Sequence, residues 1–586
     1  MPHGVALSSR AAHHAISQGS ATMPFRLSLP FALALLLGGA GAGMAQPAPA
    51  PAPAPAAVPA PAAPPPPKLI LAIAVDQFSA DLFAEYRNRY AFGFKRLQQG
   101  AVFPSGYQSH AATETCPGHS TIMTGAHPAR TGIVANSWYD LGVARAKKAI
   151  YCAEDETQVA ADPKDYVASA IHLLVPTLGD RMKAANPAVR NVAVSAKDRA
   201  ALMMGGHDID QVYWWKGAGF VTLAGRQLGQ SAQAENTIVT AALAKDRAAM
   251  DLPADCARAD RAIQAGSVTV GTGRFERAKG DATRFRISPE VDAATGELAQ
   301  KLIAEMDLGK GPATDVLSVS FSATDYVGHA FGTEGTEMCL QQHVLDKTIG
   351  GLLDFLDARG VDYAVVLTAD HGGFDLPERL VQQGLPQAAR VDPGLAPEAL
   401  GKTIAAKLKI AGVEPLLYSD GPFGDFYLNR ALKPKQSKAV LGELKALIAH
   451  PQVAAVFTAE ELAKAPAPAG SPETWTMMDR ARASFYAKRS GDAVVLLDRA
   501  IVPIPKPAPG YTATHGSPWD YDRRVPMLFW RKGMTGFEQP SAVETVDIAP
   551  TLAALIGLAV PEAEFDGRCL DLDAGAGNTC GTSHGQ

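Results

Sequence analysis

The sequence is 586 residues long and carries 54 lysines and arginines against 59 aspartates and glutamates, a formal net charge of −5 at pH 7. This mild acidity argues against a nucleic-acid-binding protein, which would usually present a basic surface. Hydrophobic residues at 47% and charged residues at 19% exclude a disordered chain and suit a globular core. The length allows several domains or one large α/β domain with insertions.

The N-terminal part has the composition of a leader followed by a spacer. Arg26 precedes the apolar run 27–37, and small residues follow, which is the order of a secretory signal. Residues 1–45 are therefore predicted to be a signal peptide, with Met23 as an alternative start and an uncleaved membrane anchor as the alternative interpretation. Residues 46–67 are almost only Pro and Ala and predict an extended linker. The mature protein is expected to be periplasmic or secreted, without a transmembrane anchor.

Four continuous apolar runs in the remaining chain predict strands that are buried on both faces, as in a parallel sheet. They cover residues 69–75, 192–194, 316–321 and 363–367. Helical segments lie between them. Ser288 caps one, with Pro289 at its first position, and another spans about 337–357. Alternating strands and helices predict a doubly wound, mostly parallel α/β sheet flanked by helices, in which ligands bind beyond the carboxyl ends of the strands.

Carboxylates and imidazoles stand at such strand ends and in one late loop. The set is Asp76, Asp325, His329, Asp370, His371 and His515. His329 comes four residues after Asp325, the spacing of one helical face. His371 adjoins Asp370, so both can bind one metal only on a turn, which the glycines at 372–373 permit. One such residue alone is more often a helix cap or a hydrogen-bonded histidine. Together, without a thiolate, they predict a catalytic zinc centre.

The segment 112–120, Ala-Thr-Glu-Thr-Cys-Pro-Gly-His-Ser, supplies the candidate nucleophile. Pro117 suits the first turn of a helix, which would place Thr115 or Cys116 at a helix N-terminus with free amides for an anion. A threonine hydroxyl needs a metal or a base to become a nucleophile, and the metal set favours Thr115 over Cys116. The alternative is that Thr115 only caps the helix.

Three further side chains could hold a phosphoryl group. Asn136 offers an amide donor, and Lys197 and Arg199 follow the second predicted strand. In extended backbone, their two-residue spacing would aim both cations at one face, where a dianionic phosphoryl group could sit. A surface Lys-x-Arg is common, and alone this pattern predicts little.

In combination, these motifs resemble the alkaline phosphatase superfamily, and most closely the bacterial threonine-nucleophile alkaline phosphatases of the PafA-like group. The resemblance extends from about Leu69 to the segment 546–551, nearly the whole mature chain. It is carried by Asp76, Thr-Glu-Thr-Cys-Pro-Gly-His-Ser at 113–120, Asn136, Lys-Asp-Arg at 197–199, Asp-Tyr-Val-Gly-His at 325–329, Ala-Asp-His-Gly-Gly at 369–373 and Thr-His-Gly-Ser-Pro at 514–518. It implies an alkaline phosphatase-like fold.

The resemblance also implies two zinc ions per chain and a role for each motif. One zinc ion would be held by Asp325, His329 and His515, and the other by Asp76, Asp370, His371 and the Thr115 oxygen. The phosphoryl oxygens would be bound by Asn136, Lys197 and Arg199, with help from the Cys116 amide. The implied reaction converts phosphate monoesters to an alcohol and inorganic phosphate through a covalent phosphothreonine. Two metals about 4 Å apart can stabilise the entering and leaving oxygens of an in-line displacement.

Rival functions stay open from the sequence. A phosphodiesterase or nucleotide pyrophosphatase shares the metal site, Thr and Asn, but is not marked by the Lys-x-Arg pattern. A sulfatase would need Cys/Ser-x-Pro-x-Arg, which the sequence around Cys116 does not provide. Two more rivals are a phosphate-transferring or phosphonate-cleaving enzyme of the superfamily and a non-catalytic phosphate-binding protein. The expected partners are small phosphate monoesters, with no surface for nucleic acid.

Two insertions are predicted within the catalytic domain, residues 68–586. The first, about 206–288, contains an aromatic cluster at 213–215 together with Phe220, which indicates a packed core more than a lid. The second, about 393–507, has the pattern of a compact α+β unit.

The cysteines suit an oxidising compartment. There are six, Cys116, Cys152, Cys256, Cys339, Cys569 and Cys580, and the sequence does not choose among their fifteen pairings.

Overall fold

A computed structural model of the chain describes residues 65–160, 165–575 and 578–581. The predicted signal peptide, and all but residues 65–67 of the predicted linker, lie outside this part of the chain. Among the described helices, none combines the length and the apolar character that a membrane crossing requires.

Strands occur along the whole described chain. In order they are β1 (Leu69–Val75), β2 (Ala101–Tyr107), β3 (Ser137–Tyr139), β4 (Ala149–Tyr151), β5 (Asn191–Ser195), β6 (Gln211–Lys216), β7 (Gly219–Val221), β8 (Ile263–Ala265), β9 (Val268–Val270), β10 (Asp315–Phe321), β11 (Tyr363–Thr368), β12 (Ala389–Arg390), β13 (Leu417–Tyr418), β14 (Gly424–Leu428), β15 (Val453–Thr458), β16 (Ala493–Leu497), β17 (Ile501–Val502), β18 (Arg524–Arg531), β19 (Phe537–Glu538) and β20 (Val543–Glu544).

Helices alternate with these strands. They are α1 (Ala80–Tyr86), α2 (Gly93–Leu97), α3 (Thr115–Thr124), α4 (Pro128–Thr131), α5 (Leu178–Ala185), α6 (Asp198–Gly205), α7 (Gln230–Leu243), α8 (Ala282–Arg286), α9 (Pro289–Glu305), α10 (Ala323–Phe331), α11 (Thr336–Ala358), α12 (Pro377–Gln382), α13 (Pro397–Leu408), α14 (Pro434–Ala446), α15 (Ala459–Lys464), α16 (Met477–Ser484), α17 (Asp520–Arg523) and α18 (Ile548–Leu555). As predicted, Ser288 caps α9, and its hydroxyl accepts a hydrogen bond from the amide of Glu290.

The largest sheet has ten strands in the order β19-β2-β18-β11-β1-β10-β5-β6-β7, with β20 beside β2. The five strands β11, β1, β10, β5 and β6 run parallel to one another. The strand β18 is antiparallel to both of its neighbours, and β7 closes the other edge antiparallel to β6. The four predicted strands are therefore the adjacent strands β11-β1-β10-β5, which confirms the predicted doubly wound, mostly parallel α/β fold.

The sequence of β1 is apolar throughout because helices cover both faces of the sheet. Leu71 and Ile73 pack into a cluster with residues of α9 and α11. Ile70 and Ala72 point to the other face and pack with residues of α3, α5 and α18. Successive residues of one strand thus belong to two different cores.

The strand register brings several chain segments to one edge of the sheet. Val75, the last residue of β1, pairs with Phe321, the last residue of β10, and Ala74 pairs with Thr368 at the end of β11. Ser195, at the end of β5, pairs with Ser320. The residues that follow these four strands therefore leave the sheet at the same level.

Both stretches predicted as insertions contain regular structure. β6 and β7, which fall within 206–288, extend the main sheet, and Trp215 and Phe220 are buried in its core as expected from their sequence. The stretch 393–507 contains a separate antiparallel sheet, β13-β14-β16-β15, whose core includes residues of α13 and α14.

The six cysteines form three disulfides. Cys116 pairs with Cys152, Cys256 with Cys339, and Cys569 with Cys580.

Candidate active site

Thr115 is the first residue of α3 and is buried beyond the edge of the sheet that the register defines. Glu114, in extended conformation, is the cap residue, so the alternative in which Thr115 only caps the helix does not describe this structure. Cys116 is held in a disulfide with Cys152 and has no free thiol to act as a rival nucleophile.

Two cations lie against the hydroxyl of Thr115. Nζ of Lys197 is 3.4 Å from Thr115 Oγ1, and Nη2 of Arg199 is 3.3 Å from the same atom. The predicted reason for their convergence is wrong: Lys197 is the cap residue of α6, and Arg199 lies in its first turn, so only Lys197 has extended backbone. The start of a helix, and not a strand, aims both side chains at Thr115.

The cationic state of both side chains is secured by their neighbours. Burial opposes the charge of Lys197, but Asp325 and Asp76 outweigh it and raise the pKa of Lys197 above its usual value. Burial likewise opposes the charge of Arg199, whereas Tyr151 and Asp198 raise its pKa. Both groups therefore remain positive at the pH of any ordinary assay.

Asn136 is fixed by two backbone contacts. The amide of Cys116 donates to Oδ1 of Asn136 at 2.8 Å, and the Asn136 amide donates to Oε2 of Glu114 at 2.7 Å. Because Oδ1 accepts this bond, the Nδ2 amide group of Asn136 is left as the donor. The Cys116 amide, which the sequence predicted to help bind a phosphoryl oxygen, makes its hydrogen bond to Asn136 in this structure.

The first predicted ligand group is formed by α10 and the loop after β17. Asp325 and His329 lie one helical turn apart on α10, with His329 Nε2 3.2 Å from Asp325 Oδ1. Nε2 of His515 is 3.4 Å from the same oxygen. The three side chains thus converge as the spacing and the strand-end argument predicted.

The second predicted group lies between β1 and the turn after β11. Nε2 of His371 is 3.2 Å from Asp370 Oδ2 and 3.6 Å from Asp76 Oδ1. Lys197 connects the two groups, because its Nζ is 2.7 Å from Asp76 Oδ2 and 2.5 Å from Asp325 Oδ2.

The two groups adjoin, so other subsets of donors also converge. His371 stacks on His515 with 3.6 Å between ring centroids, and the donor atoms of Asp325, His371 and His515 lie within 4.8 Å of one another. The same holds for Asp76, Asp370 and His119.

His119 was not in the predicted set. Its Nδ1 is 2.9 Å from the Thr115 carbonyl oxygen and its Nε2 is 2.9 Å from Ser320 Oγ, so both ring nitrogens have protein partners.

The predicted histidines are arranged as metal ligands usually are. Nδ1 of His329, His371 and His515 lies within 3.0 Å of the carbonyl oxygens of Ala513, Gly372 and Thr113 respectively. When each Nδ1–H donates to a carbonyl, Nε2 keeps its lone pair for a cation. Burial lowers the pKa of His515, and it lowers that of His371 to about 3, which keeps both rings neutral, as metal binding requires.

The aspartates of the two groups also have unsatisfied donor atoms that a metal ion could bind. Oδ1 of Asp76, Oδ1 of Asp325, Oδ2 of Asp370 and Nε2 of His371 are buried and make no hydrogen bond within the described part of the chain. Although burial favours the protonated forms, His329 and Lys197 hold the pKa of Asp325 well below its usual value, and contacts with His119 and Lys197 lower that of Asp370. Asp76 differs, because burial and repulsion from Asp370 raise its pKa well above the usual value. Buried carboxylates with unsatisfied lone pairs fit a bound divalent cation, whose charge would favour the ionised form of Asp76.

Some contributors were missed by the sequence reasoning. Tyr151 lies against Arg199, with its hydroxyl 3.4 Å from Nη1, and donates to Asp198 Oδ1 at 2.8 Å. The amide of Gln77, a residue with φ of 64°, donates to Asp370 Oδ1 at 3.1 Å. Of the residues that were missed, only His119 could have been found from the sequence, because it lies one helical turn after Thr115.

Comparison with known proteins shows which sequences this chain resembles. The sequence model of the type I phosphodiesterase / nucleotide pyrophosphatase family matches residues 70–518. Alkaline phosphatase PhoK of a Sphingomonas species is 56% identical over 517 residues, which cover 88% of this chain and 92% of the relative. Alkaline phosphatase PhoD of Zymomonas mobilis is 51% identical over 518 residues, covering 88% and 89%.

The fold has a solved counterpart. The crystal structure of wild-type alkaline phosphatase PafA superposes with a TM-score of 0.74 at 24% identity, covering 87% of this chain and 99% of the other. At this identity, the likeness establishes the shared fold.

Proposed function

This chain belongs to the type I phosphodiesterase / nucleotide pyrophosphatase family of the alkaline phosphatase superfamily, and from that membership we propose that it is an exported two-zinc phosphomonoesterase. Its relatives are named alkaline phosphatases and align with it over nearly their whole length, so the chain is a phosphatase. The finer proposal is that it converts phosphate monoesters to an alcohol and inorganic phosphate through a covalent phosphothreonine at Thr115.

The proposal rests on the two cations next to the hydroxyl of Thr115. Oγ1 of Thr115 has two buried cations within 3.4 Å, from Lys197 and Arg199. A phosphate monoester brings two negative charges to this point, and its transition state spreads charge over three equatorial oxygens. Charge-assisted hydrogen bonds to those oxygens are about twice as strong as neutral ones. The site is therefore built to stabilise a dianionic phosphoryl group.

Each side chain has a proposed role in the reaction. Thr115 Oγ1 loses its proton to water and attacks phosphorus, and the bond from phosphorus to the leaving alcohol oxygen breaks as that oxygen takes a proton from water. Water then cleaves the phosphothreonine, which returns a proton to Oγ1 and releases phosphate. Lys197 and Arg199 hold the phosphoryl oxygens during both steps. Asn136, oriented by the Cys116 amide, offers its Nδ2 protons to one of these oxygens.

The metal assignment rests on the chemistry of the donors. Carboxylate and imidazole donors without a thiolate suit catalytic zinc. We assign one ion to Asp325, His329 and His515, and the other to Asp76, Asp370, His371 and the Thr115 oxygen. When bound, the ions would supply Lewis acidity and neutralise charge on the attacking and leaving oxygens.

A phosphodiesterase is the second candidate, because the family takes its name from that activity. The observation against it is again the pair of cations, since a diester carries one charge fewer and has fewer free oxygens for Lys197 and Arg199 to bind. We therefore rank monoester hydrolysis first.

Export is proposed from the predicted leader, residues 1–45, which lies outside the described part of the chain. The disulfides support an oxidising compartment, because such bonds persist outside the cytosol and are rare within it. The periplasm or the medium is the proposed location.

The proposal is tested by zinc analysis alongside turnover of p-nitrophenyl phosphate and of its bis-ester. We expect two zinc ions per chain, loss of activity with a chelator and recovery on adding zinc, with the monoester as the better substrate. Full activity in a rigorously metal-free preparation would end the metal assignment. Preference for the bis-ester would favour the phosphodiesterase.

A further inference from the structure

A cavity lies between the loop that leads into α3 and the separate sheet of residues 393–507. Three of its lining residues, Glu114, Ser137 and Gly516, are the chain neighbours of Thr115, Asn136 and His515. The cavity therefore lies next to three residues of the candidate site. The mechanism described above does not use it.

Three carboxylates, those of Glu114, Asp420 and Asp425, line the cavity. None of the three is in an ion pair with another described residue. Glu114 accepts from the Asn136 amide with Oε2, and Asp425 accepts from the Gly491 amide at 2.6 Å with Oδ1. The second oxygen of each receives no hydrogen bond from the described chain.

Burial disfavours the charged forms of Asp420 and Asp425. Burial raises the pKa of Asp420, although contacts with Tyr139 and Lys147 oppose the rise. Burial alone raises the pKa of Asp425 to about 7, because only the Gly491 amide opposes it. A positively charged group in the cavity would offset this cost of burial.

Aromatic rings complete the lining. Tyr139 packs against Tyr427 with 5.6 Å between ring centroids. Phe423 lies at the side of Gly516, where a Cβ would be 3.0 Å from Cζ of its ring. Aromatic faces combined with carboxylates are the arrangement that recognises alkylammonium groups, including choline.

We propose that this cavity is the subsite for the leaving alcohol and that it favours phosphomonoesters whose alcohol carries an ammonium group, such as choline phosphate and ethanolamine phosphate. The inference rests on the proposed phosphomonoesterase activity. Asp420 and Asp425 act here as specificity-determining residues. They do not touch the reacting atoms, which lie at Thr115.

The test compares choline phosphate with 3,3-dimethylbutyl phosphate, which has the same shape but carries carbon in place of the charged nitrogen. We expect kcat/KM to be about tenfold higher for choline phosphate, the range that cation–π and charge contacts together provide. The substitutions Asp420→Asn and Asp425→Asn should each remove much of this preference, by lowering kcat/KM for choline phosphate more than kcat/KM for the neutral ester. Glu460→Gln is the matched control, since Glu460 is exposed in the same segment and pairs with Lys464.

The outcomes separate this inference from the proposed function. Equal use of the two esters by the wild-type enzyme would overturn the subsite and leave the phosphomonoesterase intact, and this comparison needs no variant to fold. A preference that persists in both Asn variants, or that falls equally in Glu460→Gln, would also overturn it. Hydrolysis of neither ester would overturn the phosphomonoesterase and the subsite with it.

Discussion

Gly118 lies against the main chain of Asp370: a Cβ placed on this glycine would be 2.0 Å from the Asp370 carbonyl oxygen. Glycine thus lets the first turn of α3 approach the turn after β11 without a side chain between them. The helix that carries Thr115 is positioned directly on the segment that carries Asp370 and His371.

Gly118→Ala tests this contact. The added methyl group cannot be accommodated unless the main chain moves, so we expect a loss of about 1 to 3 kcal/mol in unfolding free energy. We also expect a fall in kcat of about tenfold or more, because displacing Thr115 misplaces the nucleophile. Gly442→Ala is the control, since Gly442 lies on α14 with nothing within 4 Å of a Cβ there. It should stabilise the protein by about 0.5 to 1 kcal/mol. Unchanged activity in Gly118→Ala would contradict the proposed role of the contact.

Thr115→Ala should abolish the covalent phosphoenzyme and reduce kcat/KM by about a thousandfold or more, as removal of a nucleophile commonly does. The melting temperature should change little, because the hydroxyl is proposed to react and not to fill a core. Thr115→Ser keeps a hydroxyl and is the matched control. The measurements are phosphoenzyme trapping by mass spectrometry and turnover of p-nitrophenyl phosphate. Wild-type turnover in Thr115→Ala would exclude this residue as the essential nucleophile, and loss in Cys116→Ser alone would point to its neighbour.

The double variant Lys197→Ala, Arg199→Ala should reduce kcat/KM for a monoester by about a hundredfold or more, the usual cost of removing transition-state donors. A diester should lose much less, because it offers less charge and fewer free oxygens. The measurement is kcat/KM for both substrates in both enzymes. A loss by the same factor for both would mean that the two cations maintain the site in general, and the case for monoester over diester hydrolysis would fail.

His127 should make stability fall as the pH rises. Burial lowers the pKa of His127, but hydrogen bonds with Asp566 and Glu544 outweigh it and raise the pKa from 6.5 to about 9. Because the folded-state value is the higher one, the stabilisation is fully present below pH 6.5 and is lost as the pH rises through about 9. It amounts to about 3 kcal/mol at most.

The check is the difference in unfolding free energy between wild type and His127→Gln, measured in urea at pH 6 and at pH 9.5. Titrating groups that do not interact with His127 cancel in this difference, and the altered titration of Asp566 and Glu544 is part of the effect. We expect it to be large at pH 6 and near zero at pH 9.5, and a difference that does not depend on pH would contradict the ion pairs.

The parts of the fold and site that the sequence predicted depend on local patterns. The continuous apolar run of β1 indicated burial on both faces, and the carboxylates after such runs then indicated one edge of a parallel sheet. The pairing of Asp325 with His329 followed from helical spacing alone. By contrast, Lys197 and Arg199 were placed on extended backbone, because a Lys-Asp-Arg segment after a strand carries no signal for where the next helix begins.

Features that depend on distant chain segments could not be predicted. The contact of Gly118 with Asp370 joins residues far apart in sequence, as does the disulfide between Cys116 and Cys152. The cavity beside Glu114 is formed by the catalytic loops and by a segment about three hundred residues later. Pattern and spacing describe one stretch at a time, whereas these features arise only when the stretches pack.

The central position of β1 also has a consequence for when the enzyme becomes active. β1 is made first among the sheet strands, yet its partners β10 and β11 begin only at Asp315 and Tyr363. Until the ribosome has produced them, Asp76 has neither the strands that bury it nor the donors that surround it. A nascent chain should therefore be inactive, and only the completed polypeptide should release phosphate from a substrate. Strand pairings so distant in sequence are formed slowly, so newly made chains should gain activity only after a lag.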